Sequence, residues 1–206
     1  MSRIGRLASL AVLLGAASAA RAEGFAEASY QSGRLISVAW EAGRPLGNLR
    51  DFTGATTAWG THFDLRLAVA RRLSVGLAAS WSWYSRSLSA GTIELPAATL
   101  TGPVYRRAQF LTLRAAAHWY LTGGAVQPFV GLGAGGAWGD TLQEAPGLAV
   151  RSRRYGVGVD PEGGLLVTFR PGVALFLQAR YQLASNRFTP FRNPTWLALD
   201  AGLAVY

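Results

Sequence analysis

The stretch LSVGLAASWSW, residues 73–83, alternates with a period of two. One set of side chains is apolar and ends in two tryptophans: Leu73, Val75, Leu77, Ala79, Trp81 and Trp83. The other set is small: Ser74, Gly76, Ala78, Ser80 and Ser82. Because successive side chains of a strand point to opposite faces, the stretch predicts a β-strand with one apolar face and one face of small residues.

The same alternation recurs in seven further segments, at residues 36–41, 59–70, 109–120, 126–138, 155–169, 172–182 and 195–206. No segment has the helical period, so we predict eight strands and no helix. Short turns are predicted at residues 71–72, 122–125 and 170–172, and long links at 44–58, 84–105, 139–154 and 183–194. Short turns at one end and long loops at the other are typical of outer-membrane barrels. We therefore predict an all-β fold, an eight-stranded antiparallel up-and-down transmembrane β-barrel with both termini on the periplasmic side.

The N-terminal 22 residues are typical of a secretory signal peptide. Arg3 and Arg6 precede an apolar run over residues 7–17, which is too short to span a membrane. Ala20-Arg21-Ala22 then supplies small residues at a cleavage site. We predict cleavage after Ala22, with a site at Ala19/Ala20 as the near alternative, and residues 23–206 as a single exported barrel domain.

Composition limits the chemistry that the chain can perform. Cysteine is absent, which excludes disulfides and thiolate metal sites. The formal net charge is +9, but the arginines are spread over predicted strands and loops instead of one face, so we expect no nucleic-acid partner. We expect no cofactor, no metal and no catalytic residue.

The predicted faces distinguish a membrane barrel from a soluble, lipocalin-like cup. A soluble barrel needs a charged outer surface, whereas the non-apolar faces here hold mostly Gly, Ala and Ser, which suit a narrow lumen. Aromatic residues on the apolar faces fall near the predicted strand ends: Trp40, Trp59, Trp81, Trp83 and Trp138 toward the loops, and Trp119 and Phe169 toward the turns. Two aromatic girdles indicate that the apolar faces contact lipid.

Charged residues of luminal parity should meet inside the barrel. They are Glu41, Asp64, Arg66, Arg114, Asp160, Glu162, Arg180 and Asp200. An isolated buried charge costs several kcal/mol, roughly, so we expect carboxylates and guanidiniums to pair and to close the tube. A gated or narrow polar path is the alternative.

Two further patterns invite a chemical interpretation. Gly131-x-Gly133-x-Gly135 lies within a strand and opens no helix, so we interpret it as close packing on the luminal face and not as a nucleotide loop. His62 and His118 share the luminal parity, but their distances from the turns place them about 13 Å apart along the axis. We therefore expect two separate luminal histidines and no acid–base pair.

Several short segments resemble the family of small eight-stranded outer-membrane β-barrels. These segments are Trp40-Glu41 with Pro45-x-Gly47, Asp51-Phe52, the strand Phe63–Val69, the strand start Leu73–Leu77, and the glycine-rich run Pro128–Gly135. The resemblance implies an integral outer-membrane protein and no common activity. It also implies a C-terminal aromatic residue that the barrel-insertion machinery reads. Here that residue is Tyr206, which by alternation with Leu203 and Val205 would point inward.

Arginines near the outer rim give the main functional hypothesis. They are Arg86, Arg106, Arg107, Arg151, Arg153, Arg154, Arg187 and Arg192. Guanidinium groups bind phosphate in a bidentate manner, so Arg106, Arg107, Arg151, Arg153 and Arg154 are candidate contacts to lipopolysaccharide, with solvated loop charges as the alternative. We expect a non-enzymatic monomer with a structural or surface-interaction role. The alternatives are a transporter of small solutes, hydrophobic ones included, and a lipid A-modifying enzyme, although no His has lipid-facing parity.

Overall fold

The computed structural model describes residues 33–54, 56–95 and 98–205, which form one closed barrel. Its eight strands follow each other in sequence order, each pairing antiparallel with the next, and the last pairs with the first. The strands are β1 Arg34–Leu46, β2 Thr57–Ala70, β3 Leu73–Leu95, β4 Ala98–Tyr120, β5 Val126–Ala145, β6 Leu148–Arg170, β7 Val173–Ala184 and β8 Thr195–Val205. The predicted fold class is confirmed, whereas the predicted signal peptide and Tyr206 lie outside the described residues.

The predicted absence of helix is wrong at one place. A helix, α1, spans Gly47–Thr53 in the link between β1 and β2, and it ends where the N–H of Gly54 donates to the carbonyl of Arg50 at 2.6 Å. Gly54 has φ of 71°, a left-handed conformation that glycine adopts without strain. Seven residues are fewer than two turns, too few for a helical period to show in the sequence.

Two of the predicted long links are mostly strand. β3, β4 and β6 each have 23 residues and β5 has 20, whereas about 9–11 residues cross a bilayer. The two hairpins β3–β4 and β5–β6 therefore project well beyond the membrane on the loop side. The sequence pattern missed these extensions because outside the membrane neither face needs to be apolar.

The predicted inner and outer faces are confirmed along the strands. On β1, Val38 is 60% exposed while the next residue, Ala39, is 3% exposed. On β4, Leu113 is 60% exposed while Arg114 is 2% exposed. An outer wall of Leu, Val and Trp around a lumen that holds buried charges is the reverse of a soluble barrel, and it matches a hydrocarbon surrounding. None of the described residues forms a helix of the length and apolarity that a membrane span requires.

The lumen is filled in three layers, which follow the inward residues of β8. Trp196 belongs to an upper apolar cluster at the loop end, Asp200 to a charged middle layer, and Ala204 to a lower apolar cluster at the turn end. The upper cluster also contains Leu49, Phe52, Tyr84, Phe110, Phe188 and Phe191. The lower cluster is built around Leu35, Phe129, Leu166 and Phe176.

Candidate functional site

The most connected group in the middle layer is centred on Arg180 of β7. Its Nε donates to Asp200 Oδ2 at 2.7 Å, and its Nη2 donates to Glu41 Oε2 at 2.5 Å. The other carboxylate oxygen of Glu41 accepts from Ser82 at 2.5 Å. Glu41 and Asp200 are direct cross-strand partners on β1 and β8, which is why one guanidinium can reach both.

A second group joins β2, β4, β6 and β7. Arg66 Nε donates to Asp64 at 2.5 Å, and Arg66 Nη2 lies 3.6 Å from Glu162. The same carboxylate contacts His118 Nε2 through one oxygen and accepts from Gln178 Nε2 at 2.6 Å through the other. Glu162 is therefore the common partner of an arginine, a histidine and an amide.

Gly131 explains how His118 reaches Glu162 across β5. His118 pairs with Gly131, and Gly131 pairs with Glu162 on the next strand. A Cβ at Gly131 would collide with the imidazole ring and lie 2.9 Å from the Glu162 carboxylate. This bears out the interpretation of the glycine run as close packing.

The remaining luminal charges form a third group, in which Arg114 Nε contacts Asp160 directly. A Cβ at Gly158 would collide with the Arg114 guanidinium, so glycine makes room for that side chain as well. The structure thus places all eight predicted luminal charges inside the barrel, each with at least one opposite charge within 4.0 Å.

The two histidines do not meet. His62 stacks on Phe176 with ring centroids 6.1 Å apart, Phe176 stacks on Phe129 at 6.0 Å, and Phe129 stacks on His118 at 4.3 Å. Two phenylalanine rings therefore connect the imidazoles, in agreement with the expected separation. Phe129 and Phe176 have luminal parity in the sequence, and that parity is the signal from which the stack could have been inferred.

Three of the five predicted lipopolysaccharide contacts lie on the outer face of the wall. Trp81, Leu111, Trp138 and Tyr155 are consecutive cross-strand partners and form an outward row on β3 to β6. The next outward row along the strands toward the loops is Trp83, Gln109, Asp140 and Arg153, and the row after it is Ser85, Arg107, Leu142 and Arg151. We call Arg107, Arg151 and Arg153 the outer basic cluster.

Asp140 organises the outer basic cluster, and the sequence analysis missed it. Arg151 Nε donates to both of its carboxylate oxygens, at 2.8 and 3.0 Å, and Arg153 Nε lies 3.8 Å away. Gln109 donates to it at 3.1 Å from the neighbouring strand. The hydrogen bond from Arg151 holds the pKa of Asp140 below its ordinary value. Three arginines against one carboxylate leave the cluster cationic, and Arg107 lies with its guanidinium 4.9 Å from the Trp83 ring.

The other two predicted contacts, Arg106 and Arg154, lie on the inner face by strand alternation. Arg106 is the cross-strand partner of Arg86, and its Nη2 donates to the Thr92 carbonyl at 3.0 Å. Arg154 pairs with Gly139, whose missing side chain gives room to the luminal Phe188. The five arginines are therefore not one site, because the wall of the barrel separates them.

A closed ring of eight antiparallel strands, apolar outside and charged inside, defines the class of small outer-membrane β-barrels. Solved structures of bacterial outer-membrane barrels are similar to this chain. Neisserial surface protein A is 14% identical, with a TM-score of 0.53 over 84% of this chain and 96% of that chain. OprG of Pseudomonas aeruginosa is 13% identical (TM-score 0.46, 84% and 94% covered), and the attachment invasion locus protein Ail of Yersinia pestis is 12% identical (TM-score 0.45, 82% and 95% covered).

Sequence comparison adds no closer relative. No protein-family model matches the chain, and no curated protein matches it. The structural likeness therefore establishes the fold, and the function has to be argued from this chain's own residues.

Proposed function

We propose that the protein is a monomeric, non-enzymatic barrel of the bacterial outer membrane, with a closed lumen and an outer rim that binds lipopolysaccharide. The observation that carries the proposal is the position of the outer basic cluster. Arg153 and Arg151 precede Tyr155 of the aromatic row by two and four residues along β6, on the same lipid-facing side and toward the loop end. Strand β8 is the segment that we expect the insertion machinery to read.

The cluster lies where lipid phosphates are expected. Aromatic residues mark the interface between hydrocarbon and headgroups, so outward side chains a few residues further along the strands reach the headgroup level. Guanidinium groups at this level can bind phosphate through two parallel hydrogen bonds. Asp140 binds one edge of the Arg151 guanidinium. Among the described side chains, no carboxylate lies within 4.0 Å of Arg107, so its guanidinium can bind a phosphate.

Two properties of the lumen support a closed tube. Its carboxylates and guanidiniums are bound to one another. A water molecule or ion that separated such a pair would leave both buried charges without their partner. The charged layer also lies between two apolar clusters, of which the upper one includes the stacked rings of Phe110 and Trp196 at 4.6 Å. An ion would have to cross both apolar layers without hydration.

The interior location of both histidines supports a non-enzymatic role. A barrel that modifies lipid A must present its general base to the lipid. His62 and His118 are each 1% exposed and lie on the luminal side, bound to or packed against other luminal groups. Neither can approach an acyl chain on the outer surface.

Binding to lipid A tests the lipopolysaccharide part of the proposal. The triple variant Arg107→Gln/Arg151→Gln/Arg153→Gln, refolded into vesicles, should recruit far less fluorescent lipid A than the wild type. The matched control is Arg71→Gln/Arg72→Gln/Arg170→Gln, which removes the same charge from exposed periplasmic turns. If both variants bind as the wild type does, or lose binding equally, the outer basic cluster is not the site.

One observation favours a second candidate, a lateral path for small hydrophobic solutes. The β6–β7 ladder pairs Val159 with Leu183 and Glu162 with Arg180, but Asp160 and Pro161 between them have no partner in it. Proline has no amide hydrogen to donate to a ladder. An outward groove of about 470 Å³ begins two residues nearer the turn end than Pro161 and is lined by small residues including Gly163, Gly164 and Ala179.

Solute uptake into vesicles tests this second candidate. Pro161→Val would restore the amide donor and should slow uptake of a hydrophobic dye if the interruption is a path. Equal uptake by the variant, the wild type and protein-free vesicles would reject the lateral path.

A further inference from the structure

A polar cleft opens at the outer mouth of the barrel, above the upper apolar cluster. Its volume is about 670 Å³, and it lies between α1, the long hairpins and the link before β8. The polar side chains that line it are Asn48, Asp51, Arg106, Gln143, Thr189 and Arg192. Phe52, Phe188 and Phe191 pack against one another beneath, with centroids about 5 Å apart, and give it a rigid floor.

Arg106 lines the cleft and belongs to an uncompensated pair of positive charges. Arg86 and Arg106 are direct cross-strand partners on the inner face, and like charges in that position destabilise a sheet. Among the side chains that the structure describes, no carboxylate lies within 4.0 Å of either one. Burial and then the charge of Arg86 lower the pKa of Arg106, as expected for a cation that lacks a counterion.

Arg106 is also held ready to bind. Its Nη2 is fixed on the Thr92 carbonyl, and its guanidinium lies 5.5 Å from the centroid of the Phe52 ring. Its Nε is buried and has no acceptor among the described residues. A buried donor without an acceptor costs about 1–3 kcal/mol, so the groups around Arg106 do not satisfy its guanidinium fully.

The volume of the cleft and its other polar side chains indicate what kind of molecule carries the anionic group. The volume falls within the range of small-molecule sites, about 300–1,000 Å³, and exceeds what a single ion fills. Asn48, Gln143 and Thr189 are neutral groups that match hydroxyls, and Asp51 can accept from a hydroxyl but repels a second anion. Because the cleft faces the mouth and not the lipid, its ligand comes from the external medium.

We propose that this mouth cleft binds a soluble sugar that carries a phosphate or sulfate group, with Arg106 on the anion and Asn48, Gln143 and Thr189 on the hydroxyls. The site lies on the opposite face of the wall from the outer basic cluster, so the two proposals are independent.

Calorimetric titration of the whole protein in nanodiscs without lipopolysaccharide tests this assignment. The probes are glucose 6-phosphate, glucose 6-sulfate, glucose and inorganic phosphate. We expect both esters to bind saturably and more tightly than glucose or phosphate. Arg106→Gln should weaken ester binding at least about tenfold, because it removes a hydrogen bond to a charged group.

Arg72→Gln is the matched control, since it makes the same charge change in an exposed turn at the opposite end of the barrel, outside both proposed sites. It should leave ester binding unchanged, and both variants should keep the thermal unfolding temperature of the wild type within a few degrees, roughly. The assignment is overturned if the esters do not bind, if phosphate alone binds as tightly as the esters, or if the two variants lose binding equally. Lipid A binding gives a further comparison in vesicles that contain lipid A. If Arg106→Gln and Arg107→Gln lower lipid A binding equally, the assignment is also overturned. If only Arg107→Gln lowers lipid A binding, the result supports two separate sites.

Discussion

Arg180 on β7 donates to Glu41 on β1 at 2.5 Å, so the two residues are bound across the intervening strand β8. The same guanidinium holds Asp200 on β8 itself. The first and last strands of the barrel are therefore joined by backbone pairing and also by one buried side chain. This places the centre of the charge network at the seam where the barrel closes.

Removal of the guanidinium should strongly destabilise the barrel. Arg180→Met leaves Glu41 and Asp200 buried without their partner, which should lower the free energy of unfolding by about 3–5 kcal/mol. Urea titration of protein refolded in vesicles measures this. The triple variant Glu41→Gln/Arg180→Met/Asp200→Asn should recover part of the lost free energy of unfolding. If Arg180→Met were as stable as the wild type, the result would contradict the charge network around Arg180.

Two glycines of β5 provide a test of the luminal packing. Gly131→Ala should cost about 1–3 kcal/mol, because the methyl group displaces His118 from Glu162. Gly136→Ala is the control, since a Cβ there meets nothing within 4 Å on the outer face. Chemical unfolding of both variants under the same conditions compares them, and equal stabilities would argue against the His118–Glu162 contact.

The outer basic cluster should depend on pH through Asp140. Because the hydrogen bond from Arg151 lowers the pKa of Asp140 in the folded state, its contribution is complete above the ordinary value of 3.8 and is lost as pH falls through the lowered value. The protection factors of the β5–β6 hairpin amides, which compare each exchange rate with the intrinsic rate at the same pH, should therefore fall at strongly acid pH. Asp140→Asn should exchange faster already at neutral pH, and a variant with no change in protection would reject this role.

Tryptophan quenching should separate the outer and inner faces. Trp119 is 50% exposed on the outer wall, whereas Trp196 is fully buried in the upper apolar cluster. In single-tryptophan variants, lipids brominated near the headgroup should quench Trp119 strongly and Trp196 weakly. The opposite order would mean that the barrel wall is reversed.

The residues also show how far the sequence determines this architecture. Alternation alone separates Leu113 from Arg114, because lipid and lumen demand opposite side chains at successive positions. It cannot choose Glu41 as the partner of Arg180, since that depends on the stagger between strands that are distant in the chain. Because residues 84–105 were predicted as a loop, the sequence did not indicate that Arg106 and Arg107 belong to β4. As successive strand residues, they face opposite sides of the wall. The short helix α1 gave no periodic signal at all.

Single-channel recording in planar bilayers tests the closed lumen most directly. With its charges paired and an apolar layer on each side of them, the wild-type protein should insert without producing conductance steps. Stable single-channel steps from the purified, folded wild type would show a continuous water path and would contradict the account.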